Sequence, residues 1–255
     1  MARTRRTRDE LRALLLEEGR SIVHDEGLQT GSTNLTFKRV FERVEERTGE
    51  RITNASVIRR VWDNQAEFQT DVLVTIAHDN SRPEIGGTTD AIAEALADVD
   101  LTTATGRSGA VREICRLGGN AFTDVVVDSV NWPLWISVIA MAAGSTDADQ
   151  QARIRTAITE SYDSAAGFWA TTLGALVDAF GLTLRPPYTL AQFVMAVTAY
   201  SEGCAQRQRT TGHVETLVRA TGPDGADQEW TLFAVGLEGL VHQFLDTAGP
   251  GVPSD

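Results

Sequence analysis

Apolar residues recur at helical spacing along most of the chain, and the clearest run lies between residues 35 and 62, LTFKRVFERVEERTGERITNASVIRRVW. Phe37, Val40, Phe41 and Val44 stand at the i, i+3, i+4, i+7 positions that gather on one helix face, which predicts an amphipathic helix over about 35–48. Thr48-Gly49 supplies a residue free to take the left-handed conformation that ends helices, and the polar pair Glu50-Arg51 precedes the apolar Ile52. Thr53 or Asn54 can then cap a second helix over about 53–62, with Ala55, Ile58, Val61 and Trp62 inward and Asn54, Ser56, Val57, Arg59 and Arg60 outward. Two helices joined in this way predict a helix-turn-helix. Arginine, asparagine and serine on its outer side are residue types that reach phosphate oxygens and base edges in a DNA major groove.

The flanks extend the pattern. Thr7-Arg8-Asp9-Glu10 fits the S/T-x-x-E capping box and predicts a helix to about residue 26, with Leu11, Leu14, Leu15, Ile22 and Val23 on its apolar face and Gly27 as its stop. Asn64-Gln65-Ala66-Glu67 resembles a second capping box and predicts a helix over about 65–78, with Phe68, Val72, Leu73 and Ile76 inward. Asp79-Asn80-Ser81-Arg82-Pro83 breaks the pattern and places a domain boundary near residue 80, dividing 1–80 from 81–255. Ahead of the first helix, Arg3, Arg5, Arg6 and Arg8 form a basic tail, which is either a solvated terminus or an arm that follows the DNA backbone or enters a minor groove.

From 84 to 247 the periodicity predicts helices and no strand. Helices are expected over 88–100 and 107–129, Val125-Val126-Val127 included, and from Asn131-Trp132-Pro133, where proline suits a first turn. The longest is expected over 149–180, ended before Pro186-Pro187. Leu190, Phe193, Val194, Val197, Ser201 and Cys204 form one apolar seam, and Trp230, Phe233, Leu237, Leu240, Val241 and Phe244 form another. Such seams are either intramolecular core or a helical interface between two copies. The expected fold class is all-α, an N-terminal helix-turn-helix domain followed by a larger helical domain.

Composition narrows the chemistry. A chain of 255 residues with 42% hydrophobic content is long enough to fold around its own core. Net charge is −12, but residues 1–62 hold 13 Lys and Arg against 10 Asp and Glu, a balance of +3, leaving 10 against 25, or −15, for the remainder. This asymmetry suits a DNA-contacting head on an acidic body. Cys115 and Cys204 lie far apart and the four histidines are scattered, so neither a disulfide framework nor a metal site is expected. No phosphate loop, nucleophile elbow or metalloprotease motif appears, which argues against an enzyme and implies no cofactor. The opening leucines are interrupted by Arg12, Glu17 and Glu18, and the uncharged stretch 129–146 is too polar for a membrane span, so a cytoplasmic protein is expected.

The capped first helix, the helix-turn-helix, Trp62, the turn Asp63-Asn64-Gln65 and the anchor Phe68 together resemble the tetracycline-repressor-like (TetR) family of bacterial transcriptional regulators over residues 7–78. The pattern departs at Arg59, where an aromatic is usual, and at Gln65, where lysine is usual. The resemblance implies a regulator, a repressor by expectation, that binds a palindromic operator as a homodimer and is released by an apolar small molecule. Its DNA contacts are expected at Arg3, Arg5, Lys38, Thr53, Asn54, Ser56, Val57, Arg59, Arg60 and Gln65. It further implies a dimer interface at Leu190, Phe193, Val197, Phe233, Leu237, Leu240 and Phe244. An effector cavity is expected among Phe122, Trp132, Trp135, Tyr162, Asp163, Phe168, Trp169 and Phe193, residues that would otherwise be ordinary core. The competing expectations are an all-helical enzyme or small-molecule carrier, and a protein-protein adaptor that has lost DNA binding.

Overall fold

The computed structural model describes residues 6–27, 33–79, 86–97, 99–129, 131–144, 147–222 and 225–247, without the side chains of 55, 56, 86–90 and 126–128. Among the described residues ten helices and four strands follow one another: α1 (Arg8–Glu26), α2 (Phe37–Thr48), α3 (Asn54–Val57), α4 (Gln65–Asp79), α5 (Gly86–Ala95), α6 (Ala104–Asp128), α7 (Asn131–Gly144), α8 (Ala148–Ala179), β1 (Thr183–Leu184), α9 (Leu190–Thr211), β2 (Thr216–Ala220), β3 (Asp227–Thr231), α10 (Leu232–Phe244) and β4 (Leu245–Asp246). The protein is predominantly helical. No helix among the described residues is long and apolar enough to cross a membrane. Two compact units emerge, one of Met1–Arg82 with Val130–Ser164 and one of Pro83–Ser129 with Ala165–Asp255. The first unit therefore takes α7 and the first half of α8 in addition to the residues before the expected boundary near 80.

In the first unit α1 begins at a complete capping box, Thr7 and Glu10 each accepting the other's backbone N–H. Its apolar residues Leu11, Leu15, Leu16, Ile22 and Val23 join Phe37, Val40, Phe41 and Val44 of α2, all buried. Phe68, Val72, Leu73 and Ile76 of α4, Leu134, Trp135, Val138 and Ala142 of α7, and Ile154 and Ala157 of α8 complete this core. Helices α1 and α4 meet closely at Gly19, where a Cβ would stand 2.6 Å from Val72 Cγ2.

The second unit has its own core, made by Val111 and Cys115 of α6, Phe193 and Val197 of α9, Trp230 of β3, and Ala234 and Val241 of α10. Here the expectation of no strand between 84 and 247 is overturned. Strands β2 and β3 form an antiparallel hairpin in the register Thr216↔Thr231 to Ala220↔Asp227, and β1 pairs antiparallel with β4. Trp230, expected in the last helix, lies in β3, and α10 starts two residues later with Thr231 as its cap. Burial of its ring and the indole N–H bond to Thr221 Oγ1 at 2.9 Å hold Trp230 in the hairpin.

The two apolar seams pack largely within the single chain. Phe193, Val197 and Phe233 are buried within the single chain, and Leu190, Leu237, Leu240 and Phe244 pack against the same core. Phe193 and Phe244 stand 5.6 Å apart, centroid to centroid, so α9 and α10 turn these seams toward each other.

Candidate nucleic-acid interface

The local order around residues 49–65 follows from a small set of anchors. Helix α2 starts at Thr36, whose hydroxyl accepts the Arg39 N–H, and ends at Gly49 in the left-handed conformation at φ 68°. Ile52 then turns inward, and α3 provides a single turn before the chain departs from helix. Continuation is broken at Arg59, a non-glycine residue at φ 64°, whose N–H donates to the Trp62 carbonyl at 2.8 Å. The expected helix over 53–62 is thus corrected to Asn54–Val57 followed by a tight loop. Two side chains exchange places as a result. Val57, expected to face DNA, is fully buried, whereas Ile58, expected inward, is 37% exposed.

The loop closes on Trp62. Its ring meets Phe68 edge-on at 5.0 Å, and Phe37 lies 6.3 Å from it and 5.2 Å from Phe68. The Trp62 indole N–H donates to Asp71 Oδ2 at 2.7 Å. Asp71 projects from α4 into the core and accepts Arg12 Nη2 on the same oxygen at 2.7 Å, while Arg153 of α8 takes its other oxygen. Burial by itself pushes this carboxyl up, but the Trp62 hydrogen bond and the Arg12 and Arg153 guanidinium groups outweigh it and hold the group below the ordinary aspartate value.

Cations are distributed unevenly over this unit. Arg12, Arg20, Arg39, Arg43 and Arg47 each pair with a carboxylate: Asp71, Asp79, Glu26, Asp25 and Glu18 respectively. By contrast Arg8, Arg51 and Arg59 are exposed and form no ion pair among the described residues. Lys38 is 85% exposed and reaches Glu42 only at 3.8 Å. Thr53 and Asn54 are exposed as well.

The basic tail is tied to the same place. Arg6 Nε donates to Glu50 Oε2 at 2.9 Å, and Arg60 Nη2 donates to the Arg6 carbonyl at 3.0 Å. These bonds fix the root of the tail against the α2–α3 turn on one side and the loop after α3 on the other. Arg60, expected as an outward DNA contact, is half-buried and serves as that anchor. Gln65 is also partly committed, because its side-chain carbonyl accepts the Phe37 N–H at 3.2 Å and so caps α2. Arg3, Arg5 and the Ser56 side chain lie outside the described residues.

The expected effector residues divide between the two units. Trp132, Trp135, Tyr162 and Asp163 belong to the first unit, and Phe122, Phe168, Trp169 and Phe193 to the second. Trp135 is core and meets Tyr162 edge-on at 5.4 Å, while Phe122 stacks against Phe233 at 4.6 Å. A cleft of about 410 Å³ in the first unit is lined instead by Glu17, Arg20, Ser21, His24, Ile76, Asp79, Asn131 and Leu134. Of these residues Trp135 and Phe193 are buried core, whereas Tyr162 is 39% exposed, and helical spacing alone does not distinguish core from a pocket lining.

Sequence reasoning passed over Arg51, which it placed only as a turn residue, and Asp71. The latter carried a signal: an acid stands three residues after Phe68 and directly before Val72, on the face of α4 that must be buried. No protein-family model matches the chain, and no curated protein sequence matches it.

Proposed function

We propose that the first unit is a helix-turn-helix head of the TetR-like kind that binds double-stranded DNA, and that the protein is a transcriptional regulator. One observation carries this reading. The basic tail is rooted at Arg6 between Glu50 and Arg60, beside Arg51 and Arg59, two exposed arginines that form no ion pair among the described residues. A carboxylate-paired arginine has little left to offer a phosphate, whereas an unpaired one releases counterions when it meets DNA. An arm beside a short recognition element is suited to track the backbone or enter the adjacent minor groove. Regulation of a palindromic operator needs a homodimer with its heads about one DNA turn, roughly 34 Å, apart. The seams of α9 and α10 are occupied, so pairing would use other surface, such as the outer side of α9, where Met195 is 71% exposed. Repression follows where the operator overlaps a promoter. An effector would act through its difference in affinity between the DNA-competent form and another.

The test is fluorescence anisotropy with duplex DNA from upstream of the protein's own gene, over a series of salt concentrations. Arg51→Ala and Arg59→Ala should each weaken binding and lower the slope of log affinity against log salt by about 0.9, the value of one phosphate contact. Unchanged affinity and slope in the double variant would remove this surface as the DNA interface.

A further inference from the structure

Four residues form a connected line through the first unit. Arg153, on α8, holds one oxygen of Asp71. The other oxygen of Asp71 accepts the Trp62 indole N–H at 2.7 Å, and the Trp62 carbonyl accepts the Arg59 N–H at 2.8 Å. Arg59 sits at φ 64°, a conformation that an arginine holds only when its surroundings impose it. The backbone of 58–61 bonds locally, Ile58 N–H to the Asn54 carbonyl and the Arg60 and Val61 N–H groups to that of Val57, and the indole bond ties the loop's last residue to α4.

We propose that Asp71 is the positioning residue of the DNA-contacting loop, and that Arg153 sets its orientation from α8. This rests on the DNA-binding reading for its consequence, but the linkage itself does not. With Arg153 in place the carboxylate has one oxygen fixed from the α8 side, which leaves the second aimed at Trp62 and Arg12. Without it, Arg12 alone can take both oxygens in the forked geometry that arginine favours, and the indole loses its acceptor. Helix α8 carries Arg153 within the first unit, so a shift of this part of the helix would act on the loop through Asp71.

The test uses the full chain and two readouts. In a ¹⁵N-labelled protein the Trp62 indole N–H resonance is assigned by its loss in Trp62→Phe. Arg153→Met should shift that resonance, and Arg153→Lys should return it most of the way. Ile154→Val, a neighbouring core change that leaves Asp71 untouched, should lower the melting temperature and leave the resonance where it is. DNA affinity should fall about 10-fold in Arg153→Met, the equivalent of one charge-assisted hydrogen bond, with the salt slope unchanged because Arg153 makes no phosphate contact. A fall in slope would mean that Arg153 touches DNA directly and would overturn the positioning role. An unmoved Trp62 resonance in Arg153→Met would overturn the linkage. If the wild-type chain bound no DNA while the resonance shifted, the linkage would stand and the DNA-binding reading would fail.

Discussion

Each unit contains a buried carboxylate gripped by two arginines, Asp71 in the first and Glu238 in the second, and the two differ in what they hold. Glu238, on α10, accepts Arg112 of α6 at 3.2 Å and Arg219 of β2 at 2.5 Å, with His242 one turn along at 3.9 Å. Arg219 also lies over the Trp230 ring at 4.3 Å. Every donor there belongs to a regular element that has its own backbone hydrogen bonds. Asp71 instead receives an indole from a loop that contains a left-handed arginine. In both places the guanidinium groups are between 30% and 47% exposed, so they keep part of their hydration and the cost of burying the charge falls mainly on the carboxylate. The same device knits a finished frame in one unit and positions an unfinished segment in the other.

The largest effects should come from removing the carboxylate charge. Glu238→Gln and Asp71→Asn should each cost about 2–4 kcal/mol in urea unfolding, below the full value of a buried pair because the stranded arginines can rehydrate. The distinction lies in where the loss appears. Hydrogen exchange at the Arg59 N–H should accelerate in Asp71→Asn and stay unchanged in Glu238→Gln. Acid sharpens it further. A carboxyl held below its ordinary value contributes fully above the unfolded-state value and loses that contribution as pH falls through the folded one. Wild-type stability should therefore decline below about pH 4, and Asp71→Asn should flatten that decline. Equal declines in the two proteins would show that Asp71 is not held as described.

A smaller contrast concerns close helix approach. At Gly119 a Cβ would stand 2.6 Å from Ala234 Cβ and 2.7 Å from its Cα, so the backbone of α10 would have to retreat from α6. At Gly19 the obstacles are side-chain ends, Val72 Cγ2 at 2.6 Å and Phe68 Cζ at 3.1 Å. Alanine gains about 1 kcal/mol over glycine within a helix, and overpacking costs about 1–3 kcal/mol. Gly119→Ala should thus destabilise by about 1–2 kcal/mol and Gly19→Ala by less than about 1. A larger loss at Gly19 would reverse the ranking and point to a stiffer core in the first unit.

These contrasts also mark what could be read in the residues. Phe37, Val40, Phe41 and Val44 repeat over about two turns of the 12-residue helix α2, and all four are buried as the spacing requires. Helix α8 was legible for the same reason: periodicity averages over length, and Ala148–Ala179 gives it 32 residues. Residues 53–62 offer fewer than three turns, and tertiary anchors decided the outcome there. Trp62 had to reach Asp71 and Val57 the core, which continued helix does not allow. The β2–β3 hairpin did carry a signal, since Gly222-Pro223-Asp224-Gly225 is strong turn chemistry between Val218 and Trp230, but the helical seams on either side of it were the louder pattern. For the candidate site, Asn54 and Arg59 were rightly placed outward, while Arg60 and Gln65 were spent on structure through partners distant in sequence. The seams of α9 and α10 teach a related point. Apolar spacing says that a face is covered and is silent on whether the cover comes from the same chain.

The smallest expected effect is the most specific to the loop. Two residues bracket the segment in the same left-handed conformation, Gly49 at φ 68° and Arg59 at φ 64°, and only the first is of the type that adopts it freely. The arginine costs on the order of 1 kcal/mol there relative to an unstrained backbone, and glycine would remove that cost while adding freedom to the unfolded chain. Arg59→Gly should therefore stabilise the protein by about 0.5 kcal/mol, measured as a higher urea midpoint, while it weakens DNA binding. A residue kept only for folding would move both quantities the same way. Opposite movement is what a strained residue retained for contact requires, because its strain then serves something other than the fold.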